Sequence, residues 1–285
     1  MGEKVMTGSC LCNAISWRFD GQFSRITHCH CRLCRKAHGS PYATYGVGSK
    51  DDFEYLSGID SIVEYESSPD FIRSFCRDCG SVLPNTKLGD IVAIPIGGLD
   101  GDLDITIDGH IYVADMAPWY EITDDLPRHD YYPGQDFPVV TFAESNEGIS
   151  DGTHGSCMCG AVKFEITKQF DAVRHCHCSR CRKARSAAHS TNGVSEINAL
   201  NFREGAKLLK RYRLPSAKYF GQWFCSRCGS AMPRVDTERN IALTPFGALD
   251  GDPGQRAGHH IFVASKANWD LITDTLEQFK AVPPN

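Results

Sequence analysis

Apolar side chains along this chain recur at every second position in short runs, and no stretch sustains the three-to-four-residue spacing of a long amphipathic helix. Ile15, Trp17 and Phe19 alternate with Ser16 and Arg18, and Val162, Phe164 and Ile166 repeat the arrangement further on. This is the pattern of a half-buried strand. Similar runs stand at residues 53–55 and 62–65. Residues 91–96 are almost continuously apolar but include Pro95, which cannot donate to a ladder and so marks a strand end or a sheet edge. The segments HIYV at 110–113 and HIFV at 260–263 each read as a closing strand, followed by a turn that buries Trp119 or Trp269. The expected fold is mainly β, built of many short strands with little helix.

These runs repeat as a set, and the repeat decides the architecture. The offset is 147 residues at the first cysteine-bearing segments, 149 at the FC-x-x-CGS motifs, and 150 at GLDGD/ALDGD and HIYV/HIFV. Two small insertions therefore separate otherwise parallel copies, each of domain size. We expect two tandem domains, residues 1–148 and 149–285. The cysteine-free stretch at about 125–152, rich in proline, glycine and acidic residues, is expected to be the tail of the first and the linker.

Each copy carries seven cysteines in three clusters: Cys10/Cys12, Cys29/Cys31/Cys34 and Cys76/Cys79 in the first, Cys157/Cys159, Cys176/Cys178/Cys181 and Cys225/Cys228 in the second. Cysteines confined to CxC, CxCxxC and CxxC spacings point to metal rather than to a disulfide framework. Tetrahedral zinc takes four ligands, so seven thiolates make one closed site and one that is a ligand short. The economical division joins Cys10 and Cys12 to Cys76 and Cys79, and Cys157 and Cys159 to Cys225 and Cys228, as structural sites that contribute folding energy. The triples are then the open, functional sites. Their fourth ligand is left between an external group and a histidine such as His38 or His110. His30 and His177 are poorly placed for it, because the middle side chain of an extended Cys-x-Cys points away from its neighbours. His110 and His260 recur in both copies, which a buried, hydrogen-bonded histidine at the head of a strand explains equally well.

Composition narrows the class. With 41% hydrophobic and 23% charged residues, the 285-residue chain is long enough for two cores. A formal charge of −5 gives no net field toward nucleic acid or anionic lipid. No apolar run approaches a membrane span, and the first residues show no apolar leader; a cytoplasmic location is the expectation. Around the triples stand Arg32, Arg35, Lys36, Arg180, Arg182, Lys183 and Arg185. They fit either a solvated face or cations that offset thiolate charge and draw in an anionic ligand.

The ordered motifs G-S-C-x-C, HCHCxxCRK, FCxxCGS, HI(Y/F)V and a Trp-x-x-Ile-Thr-Asp ending resemble those of the glutathione-dependent formaldehyde-activating enzymes, the group that includes centromere protein V. The resemblance covers nearly all of both copies. It implies a zinc fold of the β-tent type, with Cys29, Cys31 and Cys34 holding a catalytic zinc and the doublets a structural one. Four zinc ions per chain follow, with Cys176, Cys178 and Cys181 completing the set. It further implies a carbon–sulfur lyase whose partners are a small thiol, glutathione, and an aldehyde, formaldehyde.

Two other classes remain in view: a non-catalytic zinc-stapled module that carries glutathione or binds protein, and a thiol redox switch. The acidic balance argues against nucleic acid. The copies also differ. Arg73, Lys36 and Gly39 are candidate substrate-binding residues in the first, whereas the second has Gln222 opposite Arg73 and Arg185-Ser186-Ala187 at the position of Gly39. The first site is therefore expected to be the better one. Asn13 stands where the second copy has Gly160.

Overall fold

The computed structural model describes residues 5–69, 71–134 and 152–283. The first unit runs β1 (Met6–Ser9), β2 (Ser16–Phe19), β3 (Arg25–Cys29), α1 (Arg32–His38), β4 (Ala43–Ser49), β5 (Phe53–Ser57), β6 (Ile62–Ser68), β7 (Phe71–Cys76), β8 (Val82–Leu83), β9 (Asn85–Leu88), β10 (Ile91–Pro95) and β11 (Gly109–Ile111). The second repeats it as β12 (Thr153–Ser156), β13 (Lys163–Ile166), β14 (Ala172–Cys176), α2 (Ser179–Arg185), β15 (Ser190–Glu196), β16 (Leu200–Glu204), β17 (Leu209–Arg213), β18 (Gly221–Cys225), β19 (Ala231–Met232), β20 (Arg234–Asp236), β21 (Ile241–Pro245) and β22 (His259–Ile261), with β23 (Glu277–Gln278) added. The chain is mainly β, in several small sheets. Each unit has two three-stranded sheets, β1-β2-β5 and β6-β7-β8 in the first, beside a larger one ordered β11-β3-β4-β10-β9. Of the expected linker, residues 135–151 lie outside the described residues. Among the described residues no helix is long and apolar enough to cross a membrane.

Local chemistry accounts for the turns that carry the cysteines. Between β1 and β2 the chain reverses through Cys10–Ile15, with Asn13 at φ 59° and its counterpart Gly160 at φ 70°. Asn is among the few residues besides Gly that visit the left-handed region at small cost, which explains the departure at Asn13. Helix α1 begins at Cys31, whose sulfur accepts the Cys34 N–H at 3.3 Å, and ends at Gly39 in the left-handed region. Helix α2 does the same between Cys178 and Ser186. Ser186 sits at φ 50°, and its hydroxyl is tied to Val82 O at 2.7 Å. Each triple thus runs into a seven-residue helix that carries its third cysteine.

The two units interlock. Lys36 Nζ, 3% exposed, donates to Asp250 Oδ1 at 2.7 Å, to Ser156 O at 2.7 Å and to Ala248 O at 3.3 Å. Reciprocally, Lys183 Nζ donates to Asp100 Oδ1 at 2.5 Å, Gly98 O at 2.7 Å and Ser9 O at 3.3 Å. Trp119 packs edge-on to Phe246 at 5.2 Å within the second unit's core, and Trp269 lies in the core built on Ile15, Trp17 and Phe19. Some residues meet their own repeat counterparts, Phe75 with Phe224 and Thr123 with Thr273. Such self-pairing marks a twofold relation, as in an isologous dimer, here within one chain.

This packing corrects three sequence expectations. Lys36 does not face a ligand: burial pulls its ammonium down to about 8, and Asp250 holds it from falling further. Gly39 lets the units, not a substrate, come close, since a Cβ there would meet Ala231, Arg185 and Pro245. The basic stretch is not a solvated face, for Arg32 also pairs with Asp250 at 2.8 Å, Arg182 Nη1 donates to Ser265 O at 3.2 Å, and buried Arg185 offsets charge at Cys181. Only Arg180 of that set is exposed.

Candidate metal centres and the histidine core

The loop after β1 and the turn after β7 bring Cys10, Cys12, Cys76 and Cys79 together, and their sulfurs lie within 4.8 Å of one another. Cys10–Cys12 and Cys12–Cys76 are 3.3 and 3.7 Å apart. In the second unit Cys157–Cys159 and Cys159–Cys225 are 3.4 and 3.9 Å apart. Four sulfurs each about 2.3 Å from a tetrahedral ion stand roughly 3.8 Å apart, so both groups fit a metal closely. Backbone N–H groups of Ile15 and Val162 point at Cys10 and Cys157 at 3.4 and 3.2 Å. The tight turns need left-handed glycines, Gly80 and Gly229, each at φ 73° and each packed on the other unit's phenylalanine. All fourteen cysteines are free of disulfides.

The triples form separate clusters. Cys29 closes β3, Cys31 caps α1, and Cys34 lies one turn in; their sulfurs also fall within 4.8 Å. Arg73, buried on β7, donates from Nη2 to Cys34 Sγ at 3.5 Å and from Nε to Ser67 Oγ at 3.1 Å. Hydrogen bonds from Cys29 and Cys31, with the Arg73 charge behind them, hold Cys34 well below the ordinary thiol range despite its burial. Tyr45 and Tyr112 pack on the same cluster. Both histidines considered as fourth ligands are engaged elsewhere. His38 binds Arg185 O through Nδ1 at 2.6 Å and the Tyr45 hydroxyl through Nε2 at 2.9 Å. His110 lies between His30 and Asp124.

The register settles the counterpart of Arg73. Arg73 pairs with Tyr65 and Gln222 with Tyr212 across matching hairpins, and Gln222 donates to Ala184 O at 2.9 Å. The second cluster nevertheless has its own cations. Hydrogen bonds from Cys176 and Cys178, then Ser190 and the Arg185 charge, hold Cys181 low against burial; Arg234 also faces it. Cys178 and Cys181 are half-buried where Cys31 and Cys34 are buried. A preference for the first site therefore loses its premise, since charge is supplied in both and access is greater in the second. Sequence reasoning missed Tyr45, Arg234 and the sulfur contact of Arg73, none of which any motif spacing reports.

Behind each triple runs a histidine relay. His30 Nε2 meets His110 Nδ1 at 2.8 Å, and His110 Nε2 meets Asp124 at 3.0 Å. His177, His260 and Asp274 repeat it at 2.8 and 3.0 Å. Burial lowers His110 and His260 below the ordinary imidazole range, and likewise takes His28 and His38 to about 4 and His189 to about 3. The folded-state values lie below the ordinary 6.5, so between pH 6.5 and 4 the unfolded chain binds more protons than the native one. Stability is expected to fall as pH drops through that window, by about 3 kcal/mol for each such histidine once it is passed. Urea midpoints between pH 7 and 5, with metal release followed in parallel, check this; an unmoved midpoint would contradict it.

Comparison with known proteins places these motifs. A family model described as glutathione-dependent formaldehyde-activating enzyme matches residues 5–115 and again 152–265. An uncharacterized lyase of Schizosaccharomyces pombe is 28% identical over 116 residues, 40% of this chain and 82% of that protein. A crystal structure of a Rhodobacter sphaeroides protein aligns with 35% of this chain and 89% of its own at 25% identity and a TM-score of 0.29. With both matched segments together spanning most of its length, the chain belongs to the glutathione-dependent formaldehyde-activating enzyme family.

Proposed function

We propose that the chain is a zinc-dependent carbon–sulfur lyase that forms and cleaves adducts of glutathione with formaldehyde or a related aldehyde. The observation that carries this reading is the convergence of Cys29, Cys31 and Cys34 with a guanidinium on one sulfur and a hydroxyl packed alongside. Zinc held there supplies a ligated thiolate at neutral pH, where a free thiol of pKa about 8.5 is mostly protonated. The doublets serve as structural zinc sites, for four ions per chain.

The chain's own groups divide the remaining work. In the addition, the sulfur–carbon bond forms and the thiol proton ends on the carbonyl oxygen; cleavage reverses both. Arg73 stabilises negative charge at Cys34. Burial pushes the Tyr45 hydroxyl up, so it carries its proton at neutral pH, and His38 orients it. Neutral His38 donates its Nδ1 hydrogen to Arg185 O and accepts that of Tyr45 at Nε2, so Tyr45 can take up the thiol proton while passing its own to His38, and return it to the new hydroxyl oxygen. In the second unit Arg185 and Arg234 take the electrostatic role.

Exchange spectroscopy by NMR on glutathione and formaldehyde at equilibrium tests this. The intact chain should speed exchange between free and adduct formaldehyde. Cys34→Ser combined with Cys181→Ser should abolish the effect. Tyr45→Phe should slow the first site by about a hundredfold, as for loss of a general acid. Glutathione binding without faster exchange would make the chain a carrier; absence of both would end the proposal.

A further inference from the structure

We propose that His177, His189 and Asp270 form a metal site of their own, separate from the cysteine clusters and present only in the second unit, that takes a divalent first-row transition metal. One nitrogen of each histidine and an Asp270 oxygen lie within 4.8 Å of one another, and all three side chains are buried, 1%, 6% and 5% exposed. His177 follows β14 between Cys176 and Cys178 but projects from the opposite side of that extended segment, so the sulfurs and the imidazole serve different centres.

Two observations point to a cation there. Among the described residues, neither ring nitrogen of His189 has a hydrogen-bond partner, although buried polar groups are nearly always paired. The second concerns proton placement along the relay. His260 Nε2 faces both Asp274 oxygens at 3.0 Å and so carries a hydrogen. In the neutral ring, Nδ1 is then an acceptor, and His177 Nε2 donates to it at 2.8 Å. That leaves His177 Nδ1 as a lone pair, yet it faces Asp270 Oδ2, another acceptor, at 3.1 Å. A metal ion bound by both removes the conflict, and His189 supplies the third ligand. The His260–Asp274 pair would orient His177 as outer partners commonly orient ligating histidines. Ligands about 2.1 Å from an ion stand roughly 3–4 Å apart, so closure draws the widest pair together by under about 2 Å.

The first unit is a built-in contrast. It keeps the relay of His30, His110 and Asp124, and among the described residues His30 Nδ1 is likewise without a hydrogen-bond partner. Tyr42 stands there in place of His189 and Tyr120 in place of Asp270, with their rings 5.6 Å apart. Two imidazoles and one carboxylate are borderline donors that suit Zn, Fe, Co, Ni or Mn. The ion would join the ends of β14 and β15 to the turn at Asp270, beside the seam where Tyr42 meets His189 at 5.6 Å. This proposal does not rest on the lyase reading.

The full chain, produced in cobalt-supplemented medium and purified without chelator, is analysed for total cobalt and for thiolate-to-cobalt charge-transfer absorption, which counts cysteine-bound ions alone. Wild type should hold one equivalent more than the thiolate band accounts for. His189→Tyr and Asp270→Asn should each lose that equivalent while keeping the band, which also reports that the cysteine centres are folded. No excess in wild type overturns the site and leaves a proton between His177 and Asp270. An excess that persists in both variants overturns it as well. Should a variant lose the band through misfolding, the wild-type comparison decides alone, because it requires no substitution.

Discussion

Residues 1–148 and 149–285, produced as separate polypeptides, are expected to be unfolded or molten, and to fold when mixed one to one. Each half donates its closing tryptophan to the other's core: Trp119, 4% exposed, lies with Phe246 and Val162, while Trp269, 8% exposed, lies with the cluster of Ile15 and Trp17. Removing a buried tryptophan costs about 3–5 kcal/mol. Separation also strips Lys36 and Lys183 of every acceptor named above and bares to water the Phe75 and Phe224 rings that the units bury against each other. Against a total stability of about 5–15 kcal/mol, neither half keeps a margin. Thermal melts of each fragment and of the mixture check this. A fragment that melts cooperatively near the intact chain would show that the interlock is not needed.

The mainly β character was legible because it rests on short-range spacing, and the partition of cysteines because seven thiolates fill one four-ligand site and leave a triple. A period of two reports a strand whatever it packs against, and CxC, CxCxxC and CxxC spacings constrain their own geometry. The interlock was not legible for the opposite reason. Lys36 and Lys183 look like any charges on a short helix, and only their pairing with Asp250 and Asp100 across the repeat takes them out of water, Lys36 wholly and Lys183 in part. Gly39 carries the same ambiguity: its positive φ follows from its place after a helix, but what approaches it is a tertiary fact. His110 and His260 fall between, since their recurrence was visible while the partners Asp124 and Asp274, fourteen residues on, were not singled out. The Tyr42/His189 and Tyr120/Asp270 differences could have been found by reading one copy against the other at offsets of 147 and 150.

Replacing Cys76 with Ser is expected to be far more damaging to the fold than replacing Cys31 with Ser. Cys76 is fully buried at the end of β7, and its cluster ties the β1–β2 loop to a distant hairpin. Binding energies of closed zinc sites, about 10–16 kcal/mol in small zinc domains, are folding energies. Weakening one therefore removes several kcal/mol, enough to unfold the first unit and, through the interlock, to loosen the second. Cys31 also ligates in the proposed scheme, but its other task is to cap α1 by accepting the Cys34 N–H, and serine is among the best N-caps. Cys31→Ser thus keeps the helix while breaking the three-sulfur cluster, and should cost no more than about 1–2 kcal/mol beyond the lost metal contact. Thermal melting, metal analysis and glutathione titration of both variants separate the roles. Cys76→Ser should melt earliest, and Cys31→Ser should stay folded with one metal equivalent missing and thiol binding lost at that cluster. Equal destabilisation by the two substitutions would show that the buried triple is as structural as the tetrathiolate.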